Sequence, residues 1–254
     1  MLSRFQSYLY GLILTDGSIY ENTRNRGKIT IELNAKDKEL LQKIQNELPA
    51  AKITDRTRST NFKKDASSSS LTIYQKSIRD EIIGWGIPKH DKSITGSTPN
   101  QEYSENDFWR GVIDGNGSIG YTLQNEPFVS LATKSESLKN AFIKMLSQRF
   151  GIRKNINPNK RDNIYNIVLK NEDAIVFCKY IYDSASIFMD RKYNTAESFK
   201  TWQRTKTRRH ERSWSHDEIA FIQTHTIKDS TKTLNRSEQS VKTKLWRLKR
   251  SNKH

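Results

Sequence analysis

The chain is expected to be an α+β protein built from two pseudo-symmetric αββαββα halves, followed by a small all-α module. Three observations predict this. The apolar stretch at 9–17, LYGLILTDG, returns at 109–117 as WRGVIDGNG, each with one interior glycine and each followed by Ser-Ile. The offset of 100 that relates Gly11 to Gly111 and Asp16 to Asn116 is met again at Lys92 and Lys192, and a spacing recovered over that length marks the repeat of a whole structural unit. After 202 the composition turns basic and polar, and three short amphipathic stretches follow.

Taken in order, residues 3–16 form a helix with apolar side chains over most of its surface, and Gly11 leaves a notch where a second backbone can approach. Such a helix packs against its own copy, notch to notch. Asp16 and Asn116 then close their helices side by side, with Gly17 and Gly117 expected in the left-handed conformation that ends a helix. A carboxylate there lies beside the negative end of the helix dipole, which is unfavourable unless a cation neutralises both. A hard divalent metal would do so, and two such ends pointing at one place suit metals shared between two phosphates.

Next, KITIELN alternates, with Ile29, Ile31 and Leu33 on one face and Lys28, Thr30 and Glu32 on the other. The stretch KDKELLQKIQNEL is helical, and AKITDRTRS alternates again, placing Lys52, Thr54, Arg56 and Arg58 together. FKKDASSSS is expected to be a loop and LTIYQ a strand. The loop ENTRNRGK contributes Arg24 and Arg26, whose side chains suit base edges. In the second copy SESLKNAFIKMLSQRF is the matching helix, Ile31 aligns with Val129 and Ile73 with Leu169. TLQNEP and RKNINPNKRDN supply the second copy's candidates: Gln124, Asn125, Arg153, Lys154, Lys160 and Arg161.

Composition narrows the class. Forty-four Lys and Arg against 28 Asp and Glu give a net charge of +16 and a pI near 9.8, so the partner is a polyanion. Only 34% of residues are hydrophobic and mean hydropathy is -0.83, so the core is modest, yet ten Tyr, ten Phe and five Trp mark a folded protein. No run approaches the roughly 18 apolar residues of a membrane span, and no signal-peptide pattern follows Met1. A soluble intracellular protein is expected. The single cysteine, Cys178 in IVFCKYIY, excludes an internal disulfide and reads as a core thiol.

Beyond 202, QRTKTRRHER reads as a linker or arm, with Arg208 and Arg209 as candidate contacts. SWSHDEIAFIQTH, STKTLN and RSEQSVKTKLWRLKR suggest three helices, with Ser215 and Ser237 as N-caps. Trp214, Ile219, Ile222, Leu234, Val241, Leu245 and Leu248 supply a small core. From Arg204 to His254 there are 14 Lys and Arg against 5 Asp and Glu. The domains expected are 1–98 and 99–202 for the halves, 203–213 for the linker and 214–254 for the module.

The two motifs resemble the LAGLIDADG motif, and with two copies the chain resembles a single-chain, pseudo-symmetric LAGLIDADG homing endonuclease. The resemblance implies a saddle of two curved sheets on double-stranded DNA, reading a long, roughly two-fold site as a monomer. It also implies phosphodiester hydrolysis with Mg²⁺, or with Mn²⁺, and Ca²⁺ in a non-cleaving complex. Asp16 and the residue at 116 would hold the metals, while Lys92 and Lys192 flank the sites. The setting would be a mobile element in a phage or bacterial cytoplasm or an organelle.

Asn116 departs from the family pattern, which has an acidic residue there. Asp114 cannot replace it, because side chains two apart on a helix point in different directions. Lost or one-sided cleavage with retained DNA binding is expected. Two origins fit, an inactivating substitution made to trap a DNA complex or a natural asymmetry. The stretch 214–254 resembles a Myb/SANT-like helix-turn-helix, with 237–250 as recognition helix and Arg236, Lys242, Lys244 and Arg247 facing phosphates or bases. The competing functions are a DNA-binding regulator on a decayed nuclease scaffold and an RNA-binding intron maturase.

Overall fold

A computed structural model of the chain describes all residues except 23–25, 59–65, 205–213 and 252–254, together with the side chains at 58, 66 and 249–251. It divides into two compact units, Met1–Gln203 and Arg204–His254. Arg24, Arg208, Arg209 and the side chain of Arg58 lie outside the described residues.

In the first unit, helix α1 (Arg4–Asp16) is opened by Ser3, whose side chain accepts from Gln6 N while the Gln6 side chain accepts from the Ser3 N–H. It runs directly into β1 (Gly17–Glu21), then β2 (Gly27–Asn34), α2 (Lys38–Glu47), β3 (Lys52–Arg58), β4 (Ala66–Ile73), α3 (Lys76–Gly84) and the short α4 (Lys92–Thr95). The second copy follows as α5 (Glu105–Asn116), β5 (Gly117–Tyr121), β6 (Pro127–Thr133), α6 (Glu136–Phe150), β7 (Tyr165–Lys170), α7 (Glu172–Tyr182) and α8 (Asp190–Ser198). The strands form two antiparallel sheets, ordered β1-β2-β4-β3 and β5-β6-β7.

The second half is therefore one strand short of the αββαββα pattern. Residues 151–164, where the counterpart of β3 was expected, form no strand. Pro158 has no N–H for a ladder, and Asn159 turns the chain by accepting from Asp162 N at 3.1 Å. In the first half the error runs the other way. Ala66–Ser70, expected to be loop, belongs to β4, which is paired on one side with β2 and on the other with β3. Two full ladders outweigh the turn-forming tendency of a serine run.

The register exposes the repeat. β1 and β2 pair from Gly17↔Ile31 to Glu21↔Gly27, and β5 and β6 pair from Gly117↔Leu131 to Tyr121↔Pro127. Every pair is shifted by the offset of the motifs, so the counterpart of Ile31 is Leu131 and not Val129. Ile73 and Leu169 do correspond, because they face Ile29 and Val129.

Helices α1 and α5 cross at their glycines. A Cβ on Gly11 would meet Phe108 O at 2.4 Å, and one on Gly111 would meet Tyr8 O at 2.1 Å. The contacts are reciprocal, 11 to 108 and 111 to 8, as a two-fold axis between the helices requires. Gly17 (φ -79°) and Gly117 (φ -94°) are extended and not left-handed. Glycine is needed there for another reason: a Cβ would stand 2.6 Å and 2.7 Å from the carbonyl oxygens of Ile13 and Ile113 as each helix turns straight into a strand.

One apolar core runs through both halves of this unit and includes Leu9, Leu12, Ile13, Val112, Ile113 and Phe142. Cys178 is buried in it, and burial pushes its thiol pKa up. The buried charges are compensated. Arg110 donates to Ile187 O and Ile181 O, each at 2.8 Å, and pairs with Asp107, which also takes Arg4 Nε at 2.9 Å.

The second unit holds α9 (His216–Thr224), α10 (Ile227–Leu234) and α11 (Glu238–Ser251). Ile222 and Val241 are its buried apolar residues. Ser215 forms a capping box with Glu218, and Ser237 Oγ accepts from Ser240 N at 3.2 Å. Arg236 is engaged inside the unit: Nη2 reaches Glu218 Oε2 at 2.7 Å, and the guanidinium lies 4.0 Å from the Trp214 ring centroid. This corrects the expectation that Arg236 faces DNA, because removing it would leave Glu218 buried without its cation. Among the described residues no helix is long and apolar enough to cross a membrane.

Candidate active site and nucleic-acid interface

The crossing of α1 and α5 delivers their C-terminal ends to one place. A Cβ on Gly115 would lie 1.9 Å from Thr15 Oγ1 and 3.4 Å from the Asp16 carboxyl carbon, so Asp16 sits against the backbone that precedes Asn116. Only glycine fits at 115. Asp16 is half-buried, and desolvation raises its pKa, opposed by Lys192, Lys92 and Arg191. Asn116 is exposed, and its Nδ2 donates to Ala132 O at 3.1 Å, which continues the β5–β6 ladder by one step.

The two lysines end on matching atoms. Lys92 Nζ donates to Ile13 O at 3.0 Å and Leu14 O at 3.3 Å, and Lys192 Nζ to Ile113 O and Asp114 O, both at 2.7 Å. Lys192 also reaches Gly117 O at 2.7 Å. These ammonium groups place positive charge at the negative end of each helix.

Burial lowers the Lys192 pKa to about 8, only partly offset by Asp114. Between that value and the ordinary 10.5 the unfolded chain binds a proton that the folded chain does not, so stability rises with pH across the window. Relative to Lys192→Met, the wild-type chain is expected to gain roughly 2–3 kcal/mol between pH 7 and 10. Urea melts of both proteins at the two pH values measure it; a pH-independent difference would show that Lys192 is not held as the geometry implies.

Asp114 faces the opposite way from the site. It is fully buried, and its carboxylate accepts from Tyr8 OH at 2.8 Å, Tyr182 OH at 3.0 Å and Met189 N at 2.9 Å. Met189 caps α8, the helix that carries Lys192. A cavity of about 280 Å³ opens beside the paired ends, lined by Thr15, Lys92 and Ser93 from one half and Asn116, Thr133 and Lys134 from the other.

The sheets present one face away from the helices. In the first half Ser18, Thr30, Thr72 and Lys52 form one cross-strand row, Glu32, Ser70 and Thr54 the next, and Asn34, Ser68 and Arg56 a third. Lys28 stands opposite Tyr20, and Arg26 is exposed on the β1–β2 loop. Lys52, Thr54 and Arg56 therefore share a face as expected, while Ser18, Tyr20, Glu32, Asn34, Ser68 and Ser70 were missed. The alternation in KITIELN already pointed at Glu32.

The second face is shorter and less polar. Its rows are Ser118, Ser130 and Val168, then Gly120, Phe128 and Lys170, then Ala132 and Asn166. Sequence reasoning missed these, because it looked to the loops. Gln124 and Asn125 lie exposed on the β5–β6 turn, Arg153, Lys160 and Arg161 are exposed in 151–164, and Lys154 lies 3.9 Å from Asp173. In the second unit Lys242 and Arg247 are exposed and Lys244 is half-buried.

The donors at the helix ends are all oxygen: one carboxylate at Asp16 and one amide oxygen at Asn116. That set suits a hard cation and offers one negative charge. Among the described residues no group of three or more His, Cys, Asp or Glu could hold a metal ion.

A family model described as LAGLIDADG-like domain matches residues 6–82 and 104–182. Among solved structures, the chain is similar to the homing endonuclease I-WcaI bound to its DNA recognition sequence, at 19% identity over 76% of this chain and 87% of that one, with a TM-score of 0.55. It is also similar to the LAGLIDADG meganuclease I-CpaMI bound to uncleaved DNA, at 16% identity over 79% and 90%, with a TM-score of 0.51. At these identities the likeness is one of fold. No curated protein matches the chain.

Proposed function

We propose, since this chain belongs to the LAGLIDADG-like domain family, that it is a homing endonuclease that hydrolyses phosphodiester bonds in double-stranded DNA at a long, roughly two-fold site. The observation that carries the reading is the meeting of Asp16 with the Gly115–Asn116 backbone between two lysines placed alike in both halves. The net charge of +16, the two outward sheet faces and the DNA-bound I-WcaI and I-CpaMI support DNA as the partner.

Asp16, with the amide oxygen of Asn116, would hold Mg²⁺ or Mn²⁺. The bound ion supplies charge stabilisation and acidifies a water. The chain's own residues do the rest. Lys92 and Lys192 fix the helix ends and lend positive potential where a phosphate would sit, and the outward rows of both sheets hold the duplex in register. With a single carboxylate the chain cuts one strand in preference to the other, as a monomer carrying both halves. The second unit acts as an additional helix-turn-helix DNA contact through α11.

The amide bond from Asn116 to Ala132 O favours a second reading, a DNA-binding protein on a nuclease scaffold that no longer cuts. The readings part in one experiment. A plasmid carrying a duplex enriched by binding from a random pool is expected to be nicked in Mg²⁺, and EDTA should abolish nicking while leaving binding within about threefold. Nicking that survives EDTA would remove the metal from the mechanism, and preferential binding of structured RNA would replace the DNA reading with the maturase one.

A further inference from the structure

The chain leaves its first unit at a defined place. Trp202 Nε1 donates to Asn125 O at 2.8 Å, on the turn between β5 and β6. Just before it Phe199 is buried and meets the Tyr121 ring edge-on at 5.1 Å, and Tyr121 OH lies 3.0 Å from Ser198 Oγ. The exit is thus pinned by three contacts to the β5–β6 hairpin of the second half. No described contact ties it to the β1–β2 hairpin.

Strands β1 and β5 both start at the joined helix ends and, being related by the two-fold axis, lead outward in opposite senses. Five residues each at ~3.3 Å carry each hairpin about 17 Å from the centre, so the two hairpins stand roughly 35 Å apart. Ten residues lie between Gln203 and Trp214, and the eleven Cα-to-Cα steps that join them reach at most about 40 Å fully extended, some 12 base pairs of duplex. That length suffices for DNA beyond the second hairpin. It would be nearly spent in reaching the first.

What the tether delivers is basic. Residues Arg204 to His254 carry 14 Lys and Arg against 5 Asp and Glu. On α11 Lys242, Trp246 and Arg247 are exposed along one stripe, and Trp246 is 58% exposed. Lys242 is paired with Glu238 one turn earlier, an exposed pair that a phosphate can replace, and a basic stripe with an aromatic side chain fits a polyanion that also offers apolar surface, as base edges and sugars do.

We propose that the C-terminal unit binds duplex DNA on one flank only, next to the half-site read by β5, β6 and β7, through the α11 stripe. The proposal rests on the reading of the first unit as a DNA endonuclease, and its test separates the two. The full chain is footprinted with hydroxyl radicals in Ca²⁺ on duplex enriched from a random pool. A protected two-fold core is expected, with further protection of up to about 12 base pairs on one side. The double substitution Lys242→Glu with Arg247→Glu should erase only the flanking protection and weaken binding about tenfold. Lys170→Glu, on the second sheet face, should thin the core protection in the half that adjoins that flank, which fixes the orientation.

Extra protection beside the other half, on both sides, or unchanged in the α11 variant would overturn the proposal. A core footprint with no flank would overturn it and leave the endonuclease reading standing. A chain that protects no duplex would remove both.

Discussion

Asn116→Asp is expected to convert a nicking or silent chain into one that linearises supercoiled plasmid carrying its site in Mg²⁺. The second strand should break about 10²–10³ times faster than in the unsubstituted chain, the size of effect that one well-placed charge contributes at a transition state. Everything around the position is already arranged for it. Asp16 stands against the adjoining backbone, and Lys92 opens onto the cavity that Asn116 lines. The new carboxylate would lose the bond to Ala132 O, costing about 1 kcal/mol, and would turn from that carbonyl toward the cavity. A plasmid assay that follows nicked and linear forms over time reads the outcome. If the substituted chain leaves its bound duplex intact, residues 16 and 116 are not the hydrolytic pair.

The second large effect concerns the helix crossing. In Gly111→Ala the added methyl would stand 2.1 Å from Tyr8 O and 3.0 Å from Leu12 N, both backbone atoms that no rotamer change can move. The helices must separate, opening the core on both sides, and a loss of about 3 kcal/mol is expected. For a unit of this size that lowers the melting temperature by roughly 6–12 °C. Gly84→Ala provides the contrast. Nothing lies within 4 Å of a Cβ there, and the residue is helical, so the same change should stabilise by about 0.5–1 kcal/mol. Thermal melts of the two variants should move in opposite directions, and a Gly111→Ala protein that melts with the unsubstituted chain would refute the close crossing.

Much of this site was legible in the sequence because it depends on a repeat, and a repeat can be checked by arithmetic. Gly11 with Gly111, Asp16 with Asn116 and Lys92 with Lys192 share one offset, and the structure gives the glycines reciprocal contacts and ends the two lysines on corresponding carbonyls. What was not legible depends on partners distant in the chain. The serine run of β4 looks like a loop until the two strands that sandwich it are known. Gly17 and Gly117 looked like left-handed caps, since no local signal tells that helix and strand join without a turn. Arg236 looked like a surface cation because its partners, Glu218 and Trp214, lie eighteen or more residues earlier.

The two outward faces share a joint but not a chemistry. One carries a lattice of hydroxyls with Glu32 and Arg56, and the other sets Val168 and Phe128 among two serines and Asn166. Since both are encoded in tandem on one polypeptide, either can be randomised without disturbing the other. On the proposed endonuclease reading, directed evolution could then retarget the molecule one half-site at a time, keeping the crossing helices as a fixed chassis.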